Sequence, residues 1–137
     1  VLGDAQFREA MKNYALHFGA AFQIVDDVMD YTSSAEVMGK NVGDDLAEGK
    51  PTLPLIQAMK VDSPGDADII RQALRTGGLQ HLERIIRLVQ ETGALDYCHQ
   101  RAVKESDLAI AALSLLPPSI YKEALEGLAK LALNRVS

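Results

Sequence analysis

The stretch Phe22-Gln23-Ile24-Val25-Asp26-Asp27-Val28-Met29-Asp30-Tyr31 ends the longest uninterrupted helical pattern in the chain. No proline occurs between Asp4 and Tyr31, and apolar residues recur there at steps of three and four. This spacing is typical of an amphipathic helix. It predicts one long helix over residues 4–31, and the fold is predicted outward from that helix.

The end of this helix has two chemically different sides. At about 100° per residue, Asp26 and Asp30 fall on one side, Gln23 lies near them, and Asp27 lies about a quarter turn away. The opposite side is apolar and consists of Ile24, Val25, Val28 and Met29. The pattern therefore predicts a packed side and a side that carries three carboxylates and an amide.

The acidic side continues into the segment that follows the helix. Residues 26–50 hold seven acidic residues and two lysines, Lys40 and Lys50, which gives the segment the same net charge of −5 as the whole chain. Magnesium prefers oxygen ligands and is usually held by carboxylates together with substrate phosphates. Lysine ammonium groups suit phosphate oxygens. The charge pattern alone leaves two interpretations open, a solvated loop and a magnesium–diphosphate site.

The rest of the chain also has helical periodicity. Helices are predicted at about 51–60, 66–76, 79–92, 94–115 and 119–134, with residues 39–50 as a loop. Pro51 is expected in the first turn of its helix, and Gly93 is expected to end the helix at 79–92. Because no segment alternates apolar and polar residues with period two, we predict an all-α fold without strands.

Composition excludes several classes of protein. The chain has 137 residues, of which 47% are hydrophobic, so we expect a single helical segment with a packed core. Its apolar runs are too short for an integral membrane segment, and its net charge of −5 argues against nucleic-acid binding. Cys98 is the only cysteine, which suits a reducing cytoplasm, and we expect it to be a packed, inert thiol.

The stretch quoted above resembles the second aspartate-rich motif, FQxxDDxxD, of the trans-isoprenyl diphosphate synthases. The segments Gly39–Leu46 and Glu48–Pro54 are similar to the loop that follows the motif in that family. The three blocks occur in order within residues 22–54, and the later helices resemble those of long-chain bacterial members. The resemblance implies that residues 1–137 form the C-terminal part of the isoprenoid synthase helical bundle.

The resemblance also implies a metal and its ligands. Asp26 and Asp30 would hold Mg²⁺, with Mn²⁺ as a substitute, against the diphosphate of an allylic substrate. Asp27 would be a further ligand or a water-mediated partner. Lys40 would contact the same diphosphate and stabilise it as it leaves.

Four further residues acquire expected roles from the same resemblance. Phe22 and Gln23 would line the pocket beside the reacting carbons. Asp45 would support the lysine and the metal shell. Lys50 would lie at the edge of the diphosphate site.

The implied reaction is an alkyl transfer between two substrates. An allylic prenyl diphosphate loses its diphosphate, and the double bond of isopentenyl diphosphate attacks the resulting cation. A proton is then lost, and the product is one isoprene unit longer. The implied product is a long-chain polyprenyl diphosphate, expected to be octaprenyl diphosphate for quinone side chains, made by a cytoplasmic homodimer.

Part of the family pattern is missing. The first aspartate-rich motif and the basic residues that hold isopentenyl diphosphate do not occur in this sequence. One carboxylate cluster should bind magnesium weakly, so we expect this chain alone to be inactive. We also expect it to expose apolar surface and to self-associate.

Three alternatives are weighed against this interpretation. An inactive subunit that assists a catalytic partner would have lost motif residues, whereas all three aspartates and both lysines are present. A class I terpene synthase typically has an Asn/Ser/Glu metal motif at this place. A calcium-binding or scaffolding module would need the EF-hand ligand spacing, which residues 39–50 lack.

Overall fold

The structure is a computed structural model that describes residues 3–32, 44–61, 64–77 and 80–134. Within these ranges the chain forms helices and no strand, which confirms the all-α prediction. The helices, numbered here in chain order, are α1 Asp4–Thr32, α2 Asp44–Ala47, α3 Leu53–Val61, α4 Pro64–Thr76, α5 Leu82–Glu91, α6 Ala94–Ala112 and α7 Ile120–Leu133.

The long helix α1 matches the prediction, but residues 44–47 differ from it. Residues 44–47, predicted as loop, form the one-turn helix α2, in which the Glu48 amide donates to the Asp44 carbonyl at 3.0 Å. Asp44 and Asp45 lie in its first turn, where negative charge is favourable beside unsatisfied amides. The loop residues 39–43, which include Lys40, lie outside the described residues.

The other helices begin and end within a few residues of their predicted limits. Helix α3 begins at Leu53 rather than Pro51, because the Thr52 carbonyl accepts the first helical hydrogen bond, from the Ile56 amide at 3.0 Å. Helix α7 is preceded by Ser119, whose side chain caps it by accepting from the Lys122 amide at 3.1 Å. Gly93 follows α5 with φ of 82°, as expected for a helix-ending glycine.

The chain divides into two compact units. The first contains residues 1–25 and 99–137, and the second contains residues 26–98, so the division falls within α1 and within α6. The described core of the first unit is formed by Tyr14 of α1, Ala109 of α6, Ala129 of α7 and the turn residues Leu113 and Leu116. Tyr14 also donates its hydroxyl to the Leu125 carbonyl at 2.6 Å.

The core of the second unit is larger and more aliphatic. It is formed by the last turn of α1, the short helix α2, and helices α3 to α6. Its fully buried large side chains are Tyr31, Leu46, Leu55, Ile70, Ile85 and Val89. Because α2 contributes Leu46 to this core, its neighbour Asp45 is held at a fixed place beside α1.

Two glycines with positive φ bring the backbone after α2 close to the end of α4. Gly49 has φ of 73°, and a Cβ there would lie 2.8 Å from the Leu74 carbonyl oxygen. Gly77 has φ of 65°, and a Cβ there would lie 2.9 Å from the Ala47 carbonyl oxygen. Both positions require glycine for conformation and for space.

The first unit exposes large apolar side chains, as predicted. Ile120 and Tyr121 are 73% and 76% exposed, and Leu16, Leu115 and Leu131 are each at least 60% exposed. The expected self-association of the chain stays a prediction. Across the described helices, none combines the length and the apolar character that crossing a membrane requires.

Candidate magnesium–diphosphate site

The three aspartates at the end of α1 occupy different environments. Asp26 is half-buried, whereas Asp27 and Asp30 are 7% and 1% exposed. The apolar side is buried as predicted, with Val25 at 1% and Val28 at 5%. The helical wheel thus identified the packed side, but it did not predict that two of the three carboxylates would also be covered.

The segment after α2 contributes to this covering. The Lys50 Nζ lies 4.0 Å from the Asp27 Oδ1 and 3.9 Å from the Asp45 Oδ1. Both carboxylates are 9% exposed and Lys50 is 46% exposed. The structure therefore brings together three of the predicted site residues, one from α1, one from α2 and one from the segment that follows α2.

Two residues that received no role from the sequence, Tyr31 and Thr52, also lie here. Burial raises the pKa of the Tyr31 hydroxyl far above its usual range. The negative charge of Asp30 raises this pKa further, the nearby Thr52 hydroxyl acts in the opposite direction, and Asp45 and Asp27 add smaller increases. Both residues stand inside the quoted motif blocks, directly after Asp30 and Pro51, and that adjacency is the signal that could have found them.

The donor set fits a hard cation. All its acidic groups are carboxylates, whose oxygens are the ligands that magnesium prefers. The Oδ2 of Asp45 is buried and has no hydrogen-bond partner among the described residues. A buried acceptor of this kind is costly unless a cation or a polar ligand satisfies it.

The predicted metal ligands do not form a complete set by themselves. Across residues 3–32, 44–61, 64–77 and 80–134, no group of three or more His, Cys, Asp or Glu side chains is arranged to hold a metal ion. The physical reason at α1 is its geometry, since Asp27 points about 100° away from Asp26 around the helix. The assignment of Asp26, Asp27 and Asp30 to a metal stays a prediction.

Two further predicted site residues precede the aspartates on α1. Phe22 and Gln23 are exposed on the preceding turn of α1, and the Phe22 ring packs on Phe18 with centroids 6.2 Å apart. Lys40 lies outside the described residues, so its predicted contact with a diphosphate stays a prediction.

Cys98 confirms the prediction of an inert thiol. It is fully buried in α6. Burial raises the pKa of its thiol to about 11, and the negative charge of Asp27 adds to the increase. At neutral pH the thiol is therefore protonated and weakly nucleophilic.

Comparison with known proteins links this geometry to a family. The family model described as polyprenyl synthetase matches residues 1–91. The chain is 53% identical over 134 residues to the all-trans-nonaprenyl-diphosphate synthase (geranyl-diphosphate specific) of Rhodobacter capsulatus, covering 98% of this chain and 41% of that protein. It is 46% identical to the octaprenyl diphosphate synthase of Escherichia coli, covering 93% and 40%.

A solved structure is similar to this chain over nearly its whole length. The crystal structure of polyprenyl synthase from Caulobacter crescentus, complexed with calcium and isoprenyl diphosphate, matches with a TM-score of 0.88 and 39% identity. The match covers 98% of this chain and 42% of that one. The chain thus spans about two-fifths of the length of the relatives that it matches.

Proposed function

Because the chain belongs to the polyprenyl synthetase family, we propose that it supplies one side of a prenyltransferase active site. The whole protein would elongate an allylic prenyl diphosphate with isopentenyl diphosphate. The observation that carries the proposal is the carboxylate group at the end of α1, next to Asp45 and Lys50 of the following segment. The prenyl-diphosphate synthases that the chain resembles over nearly its whole length support it.

The proposed cofactor is Mg²⁺, with Mn²⁺ as a substitute. Asp26 and Asp30 would hold it, with Asp27 as a third ligand or a partner through water. The bound metal would supply positive charge to the diphosphate as that group departs. The calcium in the Caulobacter crescentus complex supports a divalent cation in this family, and the oxygen-only donor set supports magnesium.

The chain's own residues would bind and orient the allylic diphosphate. Lys40 and Lys50 would donate to phosphate oxygens, and Asp45 would orient the lysines. Gln23 and Phe22, exposed on the turn before Asp26, would line the pocket for the reacting carbons. Fixed charges of this kind stabilise the charge that develops during reaction at little reorganisation cost.

The proposed reaction breaks one bond and forms another. The allylic C–O bond breaks, and its electron pair leaves with the diphosphate. The double bond of isopentenyl diphosphate forms the new C–C bond, and the loss of a proton restores a double bond. Each round therefore consumes one isopentenyl diphosphate and releases one diphosphate.

The finer features of the proposal concern the product and the assembly. We propose a long-chain product, with octaprenyl diphosphate as the specific expectation, and a cytoplasmic homodimer for the whole protein. The octaprenyl, nonaprenyl and decaprenyl synthases among the relatives support a long chain. We expect residues 1–137 alone to be inactive.

The experiment uses a chimera in which residues 1–137 replace the matching segment of the Rhodobacter capsulatus nonaprenyl-diphosphate synthase, which is 53% identical. The chimera should convert allylic diphosphate and isopentenyl diphosphate into extractable polyprenyl products only when Mg²⁺ is present. Asp26→Ala should lower its turnover by about two to three orders of magnitude, the scale of losing one charge-stabilising group in an active site.

Asp68→Ala is the matched control, since Asp68 is 76% exposed and pairs with Arg71 on the same helix. That variant should retain full activity. A folded chimera without product, measured beside an active parent enzyme, would refute the proposed function. Near-normal turnover by Asp26→Ala would refute the assignment of the site.

A further inference from the structure

The last two turns of α1 carry charge that is unfavourable at this end of a helix. They contain Asp26, Asp27 and Asp30, and no basic residue. The carbonyl end of a helix is the negative end of its dipole, so carboxylates destabilise it and basic groups would stabilise it. The last four carbonyls also lack partners within the helix. The end of α1 therefore depends on contacts from other parts of the chain.

Helix α5 provides such a contact through Gln90. The Gln90 Nε2 donates to the Tyr31 carbonyl at 3.1 Å, across 59 residues of sequence. Gln90 is exposed, whereas Tyr31 is 1% exposed and belongs to the same core as Val89, the residue before Gln90. The Thr32 hydroxyl donates to the Val28 carbonyl at 3.3 Å, but that bond lies within α1. The Gln90 amide thus ties the main chain at the end of α1 to a distant helix of the same unit.

The carbonyl that Gln90 holds lies next to a proposed metal ligand. Asp30 directly precedes Tyr31 and is 1% exposed, so its carboxylate has little room to reorient on its own. A displacement of the Tyr31 peptide group would therefore move the Asp30 carboxylate with it. Magnesium demands near-ideal octahedral geometry with short bonds to oxygen, so a small displacement of one ligand weakens its binding.

We propose that Gln90 is a positioning residue whose side-chain amide fixes the last turn of α1 and thereby orients Asp30 toward the metal. Gln90 itself would contact neither the metal nor the substrate. This inference rests on the proposed function, because it concerns the metal of that site. The hydrogen bond to the Tyr31 carbonyl is the observation that carries it.

Gln90→Met tests the proposal in the chimera, because methionine has nearly the same length but no N–H donor. In the metal-free protein, amide hydrogen exchange in the last turn of α1 should become about fivefold faster, since that turn opens more often. Exchange in α7, which belongs to the other unit, should be unchanged. The Mg²⁺ concentration for half-maximal activity should rise about fivefold, while the KM for isopentenyl diphosphate should change less than about twofold.

A conservative variant and a control accompany this test. Gln90→Lys keeps a donor of similar reach and places a positive charge at the carbonyl end of α1. It should keep the exchange rates and the magnesium requirement within about twofold of the unsubstituted chimera. Gln72→Met is the matched control, because Gln72 is exposed on α4 in the same unit. It should leave both measurements unchanged.

The outcomes separate this inference from the proposed function. An inactive unsubstituted chimera would refute the function, whereas the exchange measurement needs no activity. Unchanged exchange in Gln90→Met would overturn the role of Gln90 in fixing the end of α1. Faster exchange with an unchanged magnesium requirement would overturn the link to Asp30. Faster exchange throughout the second unit would overturn the positioning role too, because it would indicate a general loss of structure.

Discussion

The two units of the molecule treat buried charge and buried hydroxyls differently. In the first unit, Glu105 is 8% exposed and has two basic neighbours. Its carboxylate lies 2.6 Å from the His17 Nδ1 and 3.4 Å from an Arg101 guanidinium nitrogen. The hydroxyls there are also satisfied, since Tyr14 donates to the Leu125 carbonyl, and Ser106 donates to the Ala129 carbonyl at 2.9 Å.

In the second unit one of the described buried carboxylates, Asp45, is left with an unpaired oxygen. Asp27 and Asp45 share one ammonium group at ion-pair distance. Among the described residues, the Asp45 Oδ2 and the Thr92 hydroxyl are buried without a hydrogen-bond partner, and the buried Tyr31 and Thr52 hydroxyls lie near each other. Asp45, Tyr31 and Thr52 belong to the segments that carry the predicted site, whereas Thr92 follows α5.

This difference between the two units indicates which buried polar groups stabilise the fold and which serve binding. Buried polar groups are normally hydrogen-bonded, and natural proteins depart from this rule mainly at functional sites. The first unit follows the rule and gains stability from its polar contacts. The described residues of the second unit depart from it at Asp45 and at Thr92, and we infer that a ligand satisfies the Asp45 carboxylate when it binds.

Paired neutral substitutions give the largest expected contrast between the units. Glu105→Gln should lower the free energy of unfolding by about 2–3 kcal/mol, because it weakens buried contacts with charged partners. Asp45→Asn should change it by less than about 1 kcal/mol, since it also removes like-charge repulsion. Urea unfolding of the chimera measures both values.

The activities of the same pair should be reversed. Asp45→Asn should lower kcat/KM at least about tenfold, whereas Glu105→Gln should retain most of it at temperatures where the chimera is folded. Equal losses of stability in the two variants would remove the distinction between a structural and a functional charge group. Full activity in Asp45→Asn would also remove this distinction, because it would show that the Asp45 carboxylate has no functional role.

Substitutions at two glycines test how rigid the backbone is directly after α2. Gly49→Ala should cost about 2 kcal/mol, because it combines a positive φ with a Cβ position 2.8 Å from the Leu74 carbonyl oxygen. Gly127→Ala is the matched control, since Gly127 lies within α7 and has nothing within 4 Å of its Cβ position. That change should stabilise by about 0.5–1 kcal/mol. The melting temperature should fall in Gly49→Ala and rise in Gly127→Ala. An unchanged melting temperature in Gly49→Ala would show that the backbone relaxes to accommodate the added Cβ.

The smallest effect concerns the Cys98 thiol and appears only at alkaline pH. Its pKa is raised from an ordinary value of 9.0 to about 11, so the folded state retains the proton more tightly than the unfolded state. The stability it contributes is complete below about pH 9 and is lost as the pH rises toward about 11. Between about pH 8 and about pH 10 this loss should amount to about 1.3 kcal/mol.

The matched protein for this test is Cys98→Ala, in which the thiol's share of the pH dependence is absent. The difference between the two proteins in unfolding free energy should narrow as the pH rises through this window. Since Tyr14 and Tyr31 are present in both, their raised pKa values cancel in the comparison. A difference that stays constant from about pH 8 to about pH 10 would contradict the raised pKa.

The sequence predicted the helices and the packed side of α1 because both depend on local periodicity. Val25 and Val28 fall on the apolar side of the wheel and are buried. The motif blocks also indicated the right segments for the site, since Asp27, Asp45 and Lys50 meet in the structure. These successes rest on short-range spacing and on the resemblance to a family.

What the sequence did not predict depends on contacts between distant segments. A helical wheel shows that Asp27 and Asp30 leave the apolar side, but it does not show that they are buried. The proximity of Tyr31 and Thr52 is a contact between residues far apart in the chain, which no spacing rule contains. The one-turn helix α2 was missed for a related reason, since Leu46 packs in the core and favours a helix that local propensity alone would not sustain.

The reciprocal glycines have a consequence for how the site would respond to sequence change. Gly49 faces the Leu74 carbonyl and Gly77 faces the Ala47 carbonyl. The two backbone segments are therefore in direct contact at both glycines. The distance between the backbone segments around Gly49 and Gly77 is therefore set by peptide groups, which are the same for every amino acid. Replacing the side chain of Ala47 or Leu74 leaves those carbonyls in place, so the distance between the two backbone segments should be insensitive to the side chains at these positions.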